Sequence, residues 1–260
     1  MGVDTVVDLD CEPKRALGIE AIVQLLKDRD RANMVLGHAR AAGDNRPPEQ
    51  ITFRVVLQRP TGPEESDVSV ADLMRRANAL APHVGHCRSC IANAGSKEGY
   101  GCVGYLSYPI RAETERWLWS RLPASLDTTA GRFLQRAIED FGWDGAQAAA
   151  MRRGSDTFFE SKTALVGSYP GGFTLTSDQV FHMLFHVGHL GDTHAFMVAL
   201  FFGLVPHDID PGILSDANRR AQVLAFANVP PMQGQLEEMA AFLRSCASAA
   251  RFGVELLVDG

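Results

Sequence analysis

TSDQVFHMLFHVGHLGDTHAFMVALFFGLV, residues 176–205, is the stretch on which the fold turns. Thr176-Ser177-Asp178-Gln179 reads as a capping box, in which a hydroxyl caps the first turn and a side chain three residues on reaches back to the cap N–H. A helix is expected from there to about Leu190, closed by Gly191, with Asp192 or Thr193 capping the next one. The run from Ala195 to Val205 is apolar throughout. It falls far short of the roughly 20 residues that span a bilayer, so it reads as a buried helix. Further helices are expected around it, over Asp127 to Phe141, Ala146 to Arg152, about Asp210 to Phe226, and Gln233 to Leu257.

Toward the N-terminus the pattern changes. Thr5 to Leu9 is short and β-branched, and Pro13 to Arg29 has helical apolar spacing. Ile51 to Gln58 (ITFRVVLQ) is the clearest strand. Pro60 to Asp67 is rich in proline, glycine and acidic residues and reads as a loop. Ser69 then caps a helix to about Leu80, with Asp72 at the capping-box position. His83 to Gly101 is irregular, Cys102 to Tyr108 is β-like, and Arg111 to Arg121 is a helix. Phe158 to Leu175, interrupted by Pro170-Gly171-Gly172, suits a hairpin or an extended loop. The expected class is therefore α+β, an α/β-type region with a cysteine-rich loop followed by a mainly helical region. The composition divides at about residue 125, giving 1–125 and 126–260, with one continuous domain as the alternative.

Of the 260 residues 46% are hydrophobic, enough for one large core or two smaller ones. Residues 126–260 hold 9 Lys+Arg against 15 Asp+Glu, while residues 1–125 hold 16 of each, so the net charge of −6 lies entirely in the second half. A chain without a basic field is not expected to bind nucleic acid. The start, MGVDTVVDLD, has neither a basic nor an apolar leader, so a soluble, cytoplasmic protein off the membrane is expected. A protein partner or a small molecule is the expected ligand class.

Two clusters carry chemistry. In HVGHCRSC…YGC, Cys87-x2-Cys90 has metal-knuckle spacing, because a tight turn lets both sulfurs face one ion. Cys102 supplies a third sulfur, and Cys11 or His83 a fourth ligand; His86 is disfavoured by its adjacency to Cys87. Zinc accepts three cysteines and a histidine or four cysteines, whereas an iron–sulfur cluster prefers four, so both cofactors are open. In the helix expected over 178–190, His182, His186, His189 and Asp178 project within about 80° of one another. His182 and His186 at i, i+4 can chelate one ion, with Asp192 or Glu160 as further carboxylates. A solvated polar face is the simpler reading of that stripe. Gly99 to Gly104 satisfies G-x-G-x-x-G without the strand and helix that motif needs, and no nucleophile elbow or P-loop occurs.

The leading expectation is a metal-binding protein whose cysteine-ligated centre has a structural, regulatory or interaction role. The alternative is a metal-dependent enzyme using the histidine stripe, and the second alternative is a metal-free helical interaction module.

Overall fold

The computed structural model describes residues 2–59, 62–93, 99–154, 156–185, 188–227 and 229–259, excluding the side chains of 56–59 and 62–64. The chain opens with β1 (Gly2–Val7) and runs through α1 (Glu12–Leu17), α2 (Ile19–Ala41), β2 (Thr52–Arg59), β3 (Gly62–Ser69), α3 (Val70–Ala77) and α4 (Val84–Ser89). It continues as β4 (Val103–Ser107), α5 (Ala112–Ser120), α6 (Thr129–Phe141), α7 (Ala146–Gly154), β5 (Val166–Ser168), β6 (Thr174–Thr176) and α8 (Ser177–Phe185). The last elements are β7 (His189–Leu190), α9 (Asp192–Phe201), α10 (Ala217–Leu224), α11 (Gln235–Phe252) and β8 (Leu256–Asp259). The class is α+β, with a mainly helical C-terminal region and sheets that are antiparallel.

Two compact units form. The larger comprises Met1–Leu9, Ile91–Ser96 and Gly101–Gly260, and the smaller comprises Asp10–Cys90 and Lys97–Tyr100. The compositional step at residue 125 lies inside the larger one.

In the larger unit a four-stranded sheet has the order β4-β1-β8-β7. Val3, Leu106 and Leu256 are buried in it, and α11 packs against β4 and β1. Small residues on α11 (Ala240, Cys246, Ala249, Ala250) are also buried, and α9 packs against both α11 and α6. Phe196, Val198, Ala199, Leu200 and Phe201 of α9 are all at 0% exposure, as a helix apolar on every side requires. On α6, Thr128 accepts a hydrogen bond from the Gly131 N–H at 3.0 Å, so its hydroxyl satisfies one of the orphan donors of the first turn. Leu134, Ala137 and Ile138 form its buried face.

The smaller unit has its own core of Ala32, Ile51, Val70 and Leu73, flanked by Val35, Leu36, Phe53 and Val68. The segment read as a loop over Pro60 to Asp67 is largely strand: β3 pairs with β2 from Thr52↔Ser69 to Arg59↔Gly62. Arg54 meets Glu65 across this ladder at 3.1 Å, so acidic residues that look like loop are cross-strand ion partners. Three helices are also shorter than expected, among them α10, which covers only Ala217–Leu224 of the span from about Asp210 to Phe226. α11 stops at Phe252, and Leu256–Asp259 pairs with β1 from Asp4↔Asp259 to Val7↔Leu256. The helix expected to reach about Leu190 does not do so, because His189 and Leu190 pair with Leu257 and Leu256 of β8. The hairpin expected around Pro170-Gly171-Gly172 is formed by β5 and β6. Among the described residues no helix is long and apolar enough to cross a membrane.

Candidate functional site

The larger unit fixes α8 from beneath by a buried ionic cluster. The Arg152 guanidinium on α7 donates to both oxygens of Glu115 on α5, at 2.7 and 3.2 Å, and through Nε to Asp178 at 2.9 Å. Its planar face covers the Phe159 ring at 4.2 Å. The Arg152 and Glu115 side chains are each only 2% exposed. A two-pronged contact of this kind holds geometry as well as charge, so it sets the position of the first turn of α8. Gly145 lies directly against that turn. A Cβ at Gly145 would come within 2.7 Å of the Asp178 carbonyl carbon and the Gln179 nitrogen, and its φ is +73°, so glycine is required here on both counts.

With the loop between α6 and α7 laid on α8, three rings stack. Phe141 and Trp143 have centroids 5.0 Å apart and planes 26° apart, and Trp143 and His194 lie at 5.0 Å and 20°. Trp143 is buried at 5% exposure, whereas Phe141 is 61% exposed, so the stack ends in an open aromatic face. Burial lowers the His194 pKa from 6.5 to about 4, and neighbouring His189 acts in the same direction; a hydrogen bond with the Met183 backbone opposes it. The ring is therefore neutral near pH 7. Its Nε2 is buried without a hydrogen-bond partner among the described residues. Beside the stack the Gly145 N–H donates to His182 Nδ1 at 3.2 Å. The Asp144 carboxylate lies 3.5 Å from the same nitrogen, with its side chain 69% exposed. The arrangement offers an aromatic face, two imidazole rings and one exposed carboxylate.

The residues singled out by sequence fare differently. His182 belongs to this site. Asp178 is committed to Arg152, Asp192 to Arg220 at 2.6 Å, and Glu160 accepts the Ala112 N–H at the start of α5 at 2.7 Å. His189 sits on β7 rather than on a helix, and His186 lies outside the described residues. The single helical stripe is thus not formed, because sheet pairing with β8 takes up residues 189–190.

In the smaller unit Cys11 caps α1 without a side-chain cap bond, Cys87 is buried on α4, and Cys90 follows at its C-cap. His83 Nδ1 is engaged by Glu12 Oε2 at 2.9 Å. Cys102 belongs to the larger unit, where its carbonyl accepts the Val7 N–H at 2.9 Å. Among the described residues no group of three or more His, Cys, Asp or Glu side chains is arranged to hold a metal ion. This corrects the expectation of a metal-binding protein, both as a zinc or iron–sulfur centre on Cys87, Cys90, Cys102 and Cys11 or His83, and as a catalyst on the histidine stripe. The physical reason is that His83, Asp178, Asp192 and Glu160 are taken up by hydrogen bonds and ion pairs, and that His189 lies on a strand.

Phe141, Trp143, Asp144 and His194 were not singled out by sequence reasoning. The signal was FGWDG, residues 141–145, where two aromatics flank a glycine just past a helix end, a place where large apolar rings are otherwise unusual. The chain matches no protein-family model, no curated protein and no solved structure.

Proposed function

We propose that this chain is a binding protein whose larger unit takes up a flat, positively charged aromatic small molecule on the open face of the Phe141–Trp143–His194 stack. The observation that carries the reading is the stack itself: a rigid, buried Trp143 backs an exposed Phe141, so the outer ring is held ready for a further ring at little entropic cost. The charge preference follows from electrostatics. The faces of aromatic rings attract cations, Asp144 presents an exposed carboxylate on the same loop, and residues 126–260 carry the whole net negative charge.

Titration calorimetry with N-methylquinolinium tests this. Saturable binding is expected in the micromolar to millimolar range, weakened about tenfold or more by Phe141→Ala and to a smaller extent by Asp144→Asn. Phe141 is mostly exposed, so its truncation leaves the fold in place, which circular dichroism verifies. No saturable binding, or equal affinity in the Phe141→Ala protein, removes the proposal.

A further inference from the structure

We infer that Asp144-Gly145, in the loop between α6 and α7, is a modification site at which the chain rearranges its own backbone. The Asp144 carboxyl closes on the Gly145 nitrogen as a succinimide and reopens as isoaspartate, with His182 as the base. The inference shares residues with the ligand site but does not rest on it, because its readout is a covalent linkage and not an affinity.

Reach is supplied by the covalent structure, since the Gly145 nitrogen is four bonds from the Asp144 carboxyl carbon and closing on it makes a five-membered ring. The tertiary structure adds orientation and a base. The Ala146 N–H donates to Asp144 Oδ1 at 2.9 Å, so the carboxyl is folded back along its own main chain. The Gly145 N–H, whose proton has to leave when the nitrogen attacks, is directed at His182 Nδ1, 3.2 Å away. Asp144 Oδ1 lies 3.5 Å from that same Nδ1, so one ring nitrogen faces both the amide and the carboxyl. A base within hydrogen-bond reach of the proton it removes meets the geometric condition for general base catalysis. Gly145 has no Cβ to hinder the approach, and any larger residue is excluded there by Asp178 and Gln179. The Asp144 side chain is 69% exposed and therefore open to the water that reopens the ring, while α8 holds the less exposed His182 beneath it.

The chemistry is a dehydration followed by a hydrolysis. From the acid form of Asp144, the Gly145 nitrogen bonds to Cγ as its proton passes to His182 Nδ1. The ring returns that proton to a hydroxyl on Cγ, which leaves as water, and the succinimide remains. Water then adds at either carbonyl. Opening at Cγ restores aspartate, and opening at the main-chain carbon leaves the peptide link running through Cγ, which is isoaspartate. One water leaves and one returns, and nothing is oxidised or reduced. The main chain is then one carbon longer at the point where Gly145 is fitted against the first turn of α8.

Trypsin cuts at Arg136 and Arg152 and places Asp144 on peptide 137–152, with Asp140 on the same peptide as an internal reference. The full chain is incubated for weeks in mildly acidic buffer, either folded or unfolded in guanidinium chloride, and then digested. Electron-transfer fragmentation of peptide 137–152 locates isoaspartate by its linkage. In the folded chain isoaspartate is expected at Asp144 and not at Asp140, and it is expected to form about tenfold or more faster than in the unfolded chain. His182→Phe, with its fold verified by circular dichroism, is expected to lose that acceleration. In Asp144→Asn the same ring closes with loss of ammonia instead of water, so peptide 137–152 is expected in deamidated form, and more slowly when His182→Phe is added. A rate in the folded chain equal to or below that of the unfolded one overturns the inference, and so does an unchanged rate in a folded His182→Phe chain. The first comparison uses the unmutated chain alone, so it decides the matter even where the variant does not fold.

Discussion

His194 is neutral in the folded protein and protonates at its ordinary pKa of 6.5 once unfolded, whereas the fold lowers that pKa to about 4. The unfolded chain therefore takes up the proton first. The stability that depends on the neutral ring is complete above pH 6.5 and is lost as the pH falls toward 4, by up to about 3 kcal/mol. His207, lowered chiefly by burial, acts in the same direction. Urea unfolding midpoints measured between pH 7.5 and 4.5 are expected to drop in the wild type and to drop less steeply in His194→Phe, which keeps a ring against Trp143 but cannot titrate. An unchanged slope in the variant would show that the ring is not buried neutral. At this scale the sequence was informative about residue type only. Four histidines cluster between Phe181 and His194, but which of them stacks on Trp143, which accepts a backbone N–H and which lies on a strand are matters of long-range packing.

Between single residues and the whole chain stands the joint of α5, α7 and α8 around Arg152. Ala148 and Arg152 are four residues apart and share the buried face of α7, at 0% and 2% exposure, while Arg153 is exposed. The helical phase is legible in the sequence, but the inward arginine is intelligible only once Glu115 and Asp178 are seen to receive it. Replacing Arg152 by Met strands two carboxylates in the interior and is expected to cost roughly 3–5 kcal/mol. Removing the exposed Arg136–Asp140 pair by Arg136→Ala is expected to cost less than about 1 kcal/mol. Urea denaturation of both variants checks the contrast, and similar losses in the two would mean the buried cluster does not hold α8. Restoring part of the Arg152→Met loss with Glu115→Gln and Asp178→Asn would confirm that unpaired charge is the cause. α6 illustrates the opposite case, because its cap at Thr128, its apolar spacing and its glycine stop all lie within the local sequence, and a helix over Asp127 to Phe141 is expected from it.

At the scale of the molecule the smaller unit is an insertion between two adjacent strands of the larger one. β1 and β4 pair through Val6↔Val103, and the Val7 N–H bonds the Cys102 carbonyl, so the chain leaves and re-enters the larger unit at nearly one point. A short linker can span such a gap. Replacing residues 10–100 with a short Gly/Ser linker is therefore expected to leave a cooperatively melting, helix-rich larger unit, checked by circular dichroism and calorimetry. A non-cooperative product would mean that the two units share one folding transition. The charge step at residue 125 reports composition, whereas the insertion depends on which strands pair.

By itself the sequence determined the α+β class, the helices whose caps and apolar spacing lie within one window, the β5–β6 hairpin signalled by Pro170-Gly171-Gly172, and the burial of the run from Ala195 to Val205. Only the tertiary structure decided that Leu256–Asp259 is a strand beside β1, that His189 leaves the helix to pair with it, and that Cys102 belongs to one unit while Cys11, Cys87 and Cys90 belong to the other. The physical reason is range. Helix caps and periodicity are satisfied by residues a few positions away, but a strand edge, a buried charge or a thiol neighbour is settled by a partner from a distant part of the chain, which no local window contains.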